Sequence, residues 1–65
     1  MKSFYKELAI QGKSIKWLAD KLGVSHQAVY MWKLGKSKPK IFNLKKISQL
    51  LKIDIKILIN EHFMV

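Results

Sequence analysis

Cysteine is absent from the 65 residues. That excludes disulfide staples and thiolate metal sites, and it fits a reducing cytoplasm. Arginine is absent as well, so all 13 cations are lysine. Lysine is a point charge suited to phosphates, whereas arginine supplies the bidentate fork that reads guanine. Acids are scarce: Glu7, Asp20, Asp54 and Glu61 leave a net charge of +9. No run approaches the ~20 apolar residues that span a bilayer. Lys6 and Glu7 interrupt MKSFYKELAI, so it is not read as a secretory signal. The expectation is a soluble, cytoplasmic chain with no membrane partner. Its length allows a single domain, 1–65, with a small core. The charge excess favours a polyanionic partner, because displacing counterions from phosphates drives binding. A basic protein with no such partner is the plainer alternative.

What is present is helical periodicity, with no sustained alternation of the strand type. Residues 2–11 place Phe4, Tyr5 and Leu8 on one side, and Gly12 ends the segment. Ser14 can cap SIKWLADKL, which stops at Gly23, and Ser25 can cap HQAVYMWKL, which stops at Gly35. GKSKPK reads as a loop, since Pro39 cannot continue a helix. A fourth helix is expected from about Phe42 to Leu51, and a fifth, IKILINEH, capped by Asp54. Five short helices with brief connections predict an all-α domain.

LADKLGVSHQAVYMW, residues 18–32, carries the most information. Two helices joined by about three residues cross steeply and need a small side chain at their contact. Ala19 meets that need, Gly23 supplies the turn, and Val29 is a stiff β-branched knob facing Ala19. Leu18, Leu22, Val24 and Trp32 complete the expected core of this unit. At these residues the chain resembles the Cro/repressor-type (XRE-like, lambda-repressor-like) helix-turn-helix family. WKLGKSKP and LKKISQLLKIDIKILI extend the resemblance over roughly residues 4–60. It implies a compact five-helix DNA-binding domain, with the helix-turn-helix at about 15–34. Departures are visible. Ile15 and Trp17 stand where the family has a glutamine and a glutamate, removing the capping box. Lys33 and Leu8 replace an acid–base pair between helices three and one. Ser48 replaces an alanine, and Lys52 a glycine.

At 100° per residue, pointing Val29 and Trp32 inward sends Gln27, Tyr30, Met31 and Leu34 outward, with His26 on the flank. The resemblance implies that this outward face enters the major groove. His26, Gln27, Tyr30 and Met31 are the candidate base-reading residues. The Gln27 amide suits adenine N6 and N7, and Met31 suits a thymine methyl. Tyr30 also suits a phosphate oxygen. The plainer alternatives are a solvated Gln27, a capping or solvent-facing His26, and a Met31 partly buried beside Trp32. Lys33, Lys36, Lys38 and Lys40, with Ser14 and Asn43, are the candidate phosphate contacts. His62 has no partner at metal spacing and receives no role; no cofactor or metal site is expected.

Residues 54–65 carry more apolar side chains than a small core absorbs. Leu58 and Ile55 match core positions, leaving Ile57, Ile59, Phe63 and the FMV tail as a surplus read as a homodimer seam. The functional expectation is a Cro-like repressor of a phage or mobile element, gripping a palindromic double-stranded operator as a dimer. The alternative is an antitoxin-type or adaptor protein whose apolar C-terminus covers a protein partner. No paired carboxylates and no nucleophile with a base in reach are present, so enzymatic activity is not expected.

Overall fold

Ser14, Ser25 and Asp54 each open a helix, as the sequence expects. The structure, a computed structural model, describes residues 2–63; Met1, Met64 and Val65 lie outside the described residues, and with them the end of the apolar tail. The elements are α1 (Ser3–Ile10), α2 (Ile15–Leu22), α3 (His26–Leu34), α4 (Ile41–Leu51) and α5 (Ile55–Phe63). No strand occurs among the described residues, so the all-α expectation is met. No helix is long and apolar enough to cross a membrane. The caps are explicit. Ser14 Oγ accepts from the Trp17 amide at 3.0 Å and Ser25 Oγ from the Ala28 amide at 3.1 Å. Asp54 Oδ1 accepts from the Lys56 amide at 2.9 Å. Each satisfies a backbone donor that the first turn leaves without an intrahelical partner.

One apolar stripe per helix forms the core. Phe4 and Leu8 of α1 meet Leu18, Ala19 and Leu22 of α2, Val29 and Trp32 of α3, Leu44, Ile47 and Leu51 of α4, and Leu58 of α5. Of the residues expected at the helix crossing, Val24 is only partly buried and Gly23 is exposed at the turn. α3 packs chiefly on α2, while α1 rests on α4 and α5. The bend between α2 and α3 is closed twice: the Val24 amide donates to Ala19 O at 3.0 Å, and the Gly23 amide to Asp20 O at 3.3 Å. Gly23 has φ +71°, and no atom lies within 4 Å of where a Cβ would stand. The dihedral, not crowding, calls for glycine there.

The two departures at the end of α4 belong together. Lys52 holds φ +57°, a left-handed geometry that costs a side-chain-bearing residue about 1–2 kcal/mol. Ser48, at the position of the family's alanine, donates its hydroxyl to Ile53 O at 2.6 Å and accepts the Ile53 amide on its own carbonyl at 3.1 Å. The serine thus fastens the turn that the lysine strains.

α5 corrects one expectation. Ile59 is not part of an exposed seam: it is half-buried and packs against the core. His62, given no role from sequence, is only 3 % exposed, with its ring centroid 5.8 Å from that of Phe4. Ile55, Leu58, Ile59 and His62 follow the i, i+3, i+4, i+7 spacing of one helix face. Ile57 and Phe63 remain exposed, at 46 % and 40 %. They lie on different flanks of that face, so the three expected seam residues do not share one surface.

Candidate nucleic-acid interface

The cap at Ser25 fixes where α3 begins and therefore which residues sit in its first turn. His26 and Gln27 fall there, and both are exposed. Tyr30 is 46 % exposed, Met31 38 % and Leu34 46 %. Val29 and Trp32 turn inward against Ala19, as their spacing requires. The N-termini of α2 and α3 converge on an open groove of about 390 Å³ lined by Ile15, Lys16, His26, Gln27 and Tyr30. Three of the four candidate base-reading residues therefore share one depression; Met31 lies further along the helix and does not line it.

The groove holds one ammonium in its lining, that of Lys16, and the candidate phosphate contacts lie outside it. Ser14 takes the Trp17 amide, leaving the first amides of α2 directed outward at the positive end of the helix dipole. Lys36, Lys38 and Lys40 are all exposed in the loop after α3. Pro39 between them is fully buried and pins the loop to the core. His26 Nε2 lies 3.7 Å from Asp20 Oδ1, a contact that becomes an ion pair when the imidazole is protonated. The carboxylate of α2 thus competes for the edge that the sequence assigned to a base.

Two expected phosphate contacts sit elsewhere. Asn43 is 5 % exposed; it follows the inward stripe of Leu44, Ile47 and Leu51, and its Oδ1 has no hydrogen-bond partner in the interior. Burial removes this side chain from the surface that grips a backbone. Lys33 is half-buried, its ammonium 4.1 Å from the Tyr5 ring centroid and 5.2 Å from that of Tyr30. The acid–base pair missing between helices three and one is replaced by a cation on two aromatic faces. Lysines cover other rings as well: Lys13 and Lys21 lie over Trp17, and Lys38 over Phe63 at 5.7 Å. Trp17 therefore packs on the core with its outer face shielded. Lys33 with Tyr30 and Lys21 with Trp17 are neighbours on one helix at i, i+3 and i, i+4 spacing, whereas Lys33 with Tyr5 and Lys38 with Phe63 join different elements and do not follow from spacing.

Among the described residues no group of three or more His, Cys, Asp or Glu side chains is placed to hold a metal ion. What the surface offers is an open groove at the N-termini of two helices, lined by one lysine and otherwise by apolar and uncharged polar side chains, with further exposed lysines in the loop after α3. A helix-turn-helix family model matches residues 6–58, well over half of the chain. Comparison with curated proteins and with solved structures returns no match.

Proposed function

The chain belongs to the XRE-type helix-turn-helix family of DNA-binding transcription regulators, and from that premise we propose that it is a sequence-specific, Cro-like repressor that grips a palindromic operator as a dimer. The observation that carries this reading is the groove of Ile15, Lys16, His26, Gln27 and Tyr30, together with the exposed lysines of the loop that follows α3. Base edges discriminate through uncharged side chains, and phosphates answer to the cations and helix N-termini around them. Gln27, in the first turn of α3, reads adenine; His26, Tyr30 and Met31 supply the neighbouring contacts. Lys36, Lys38, Lys40 and the α2 N-terminus at Ser14 hold the backbone. Self-association draws support from two exposed apolar side chains on separate flanks of α5, Ile57 and Phe63, of which a two-fold seam uses one; such a dimer places its half-sites about one helical turn apart. Repression then follows from occluding the promoter.

In vitro selection of bound duplexes from a random pool tests this reading. It should return a symmetric site whose half-sites are separated by about 10–10.5 bp. Gln27→Ala should cost roughly 1–3 kcal/mol on that site and relax the preference at one base pair of each half. If random DNA competes as well as any selected site at about 0.15 M salt, sequence-specific repression is wrong.

A second reading, an antitoxin-type or adaptor protein, draws support from the apolar residues outside the groove: Ile10, Ile41 and Phe42 are at least 49 % exposed. Stoichiometric co-purification with one protein, lost on Phe42→Asp and kept on Gln27→Ala, would favour it.

A further inference from the structure

Lys33 stands at the family's acidic position and near the phosphate-gripping loop, yet its ammonium does not join that loop. It lies within about 6 Å of two ring centroids, the range in which the negative face of an aromatic ring attracts a cation. One ring, Tyr30, is three residues earlier on α3 and therefore on the same flank. The other, Tyr5, comes from α1. The arrangement matters because α3 is otherwise anchored chiefly on α2, while α1 rests on α4 and α5. The pair of contacts joins the groove-facing helix to a helix it would otherwise barely touch. Lys33 is half-buried, whereas Lys36, Lys38 and Lys40 are exposed. The same Tyr30 ring lines the groove with Gln27 and Ile15, so whatever fixes that ring shapes the groove.

We propose that Tyr5 and Tyr30 hold the Lys33 ammonium between them, so that Lys33 ties α1 to α3 and orients Tyr30 instead of gripping phosphate. Tyr5 is then a positioning residue for DNA recognition although it belongs to α1. This rests on the DNA-binding reading, and it assigns Lys33 a role opposite to the one its sequence position suggests.

Two measurements on the full chain separate the possibilities. The first needs no DNA. In the proton NMR spectrum, the ε-methylene protons of Lys33 should be shifted upfield by the ring currents. The shift should persist in Tyr5→Phe, which keeps the aromatic face, and shrink in Tyr5→Leu. Unshifted Lys33 resonances in the unsubstituted protein would overturn the bridge while leaving DNA binding untouched. The second is affinity for the selected operator as a function of salt. Lys33→Met should weaken operator binding several-fold more than random-duplex binding, with an unchanged salt slope. Tyr5→Leu should reproduce that loss, and Lys33→Arg and Tyr5→Phe should bind as the unsubstituted protein does. A fall in slope of about 0.9 for Lys33→Met, equal on operator and random DNA, would make Lys33 a phosphate ligand and overturn the proposal. Shifted resonances with no operator preference at all would instead remove the DNA reading, and with it the positioning role.

Discussion

Glu61 is a helix cap supplied from the far end of the fold, and its removal tests how this small core is held. α1 begins at Ser3 with Lys2 in the cap position, and Lys2 offers no side-chain cap bond. Glu61 of α5 fills the gap. Its carboxylate accepts the Ser3 amide at 3.1 and 3.3 Å and also the Ser3 hydroxyl. The Lys2 ammonium returns a bond to Glu61 O at 2.5 Å. A cap of this kind contributes about 1 kcal/mol, within a range of ~0.5–2, and a carboxylate near a helix N-terminus adds about 0.3–1. Glu61→Ala should therefore cost about 1.5–2 kcal/mol. A chain of this length is stable by only ~3–10 kcal/mol, so the loss is a sizeable share. At about 4–8 °C per kcal/mol, the midpoint should fall by roughly 6–16 °C. Glu61→Gln keeps an acceptor for the Ser3 amide but loses the charge, and should fall about halfway between. Thermal and urea unfolding followed by far-ultraviolet circular dichroism would read these values. Base preference should be unchanged in both variants, because Glu61 lies at the α1–α5 corner, not in the groove. A loss below about 0.5 kcal/mol for Glu61→Ala would refute the reasoning, since that is the level of an ordinary surface substitution.

Other outcomes follow from the same geometry. Replacing Lys36, Lys38 and Lys40 together by glutamine should lower the salt slope of DNA binding by about 2.7, which makes the loss of affinity between 50 and 200 mM salt about 40-fold shallower; an unchanged slope would leave the loop without phosphate contacts. Ile57→Asp should leave stability within about 0.5 kcal/mol and shift sedimentation towards monomer, and an unaltered mass would exclude Ile57 from the seam. Ile59→Asp should instead destabilise the monomer by about 2–4 kcal/mol, because it places a carboxylate against the core. His62 gives stability an acid-sensitive component. Burial pushes its imidazole below the ordinary value of 6.5, the Lys2 ammonium adds to this, and Glu61 opposes it. As pH falls through 6.5, the unfolded chain takes up the proton first, so stability drops. The slope is at most about 1.4 kcal/mol per pH unit, and the loss levels off once the folded group protonates. Titrated unfolding of His62→Leu should lack this component between about pH 7 and pH 5; an unchanged profile would place the titration on another group.

Much of the fold was legible because short helices announce their ends. Ser14, Ser25, Gly23 and Gly35 bound α2 and α3 to the residue, and the Ala19–Gly23–Val29 spacing set their crossing. The outward positions of Gln27, Tyr30 and Met31 followed from periodicity alone. What escaped was side-chain pairing between elements. Asn43 was read as a phosphate contact and His62 was given no role, although each continues an apolar stripe: Asn43 beside Leu44 and Ile47, His62 after Ile55 and Leu58. Counting stripe positions without regard to residue type would have found both. Ile59 was misplaced for a related reason: the apolar surplus of α5 was counted as a composition, not resolved by angle. Lys33 could not be placed from spacing, because the Tyr5 ring that holds it is contributed by another helix.

The contact between Lys38 and Phe63 brings a residue proposed to grip the DNA backbone and a residue proposed for self-association into one small neighbourhood. Thermodynamic reciprocity then applies: if a partner that covers Phe63 changes the affinity of this loop for DNA by some factor, DNA changes the affinity for that partner by the same factor. On the proposed roles of Lys38 and Phe63, this contact would make occupancy of the operator and assembly of the protein two readouts of one coupled equilibrium.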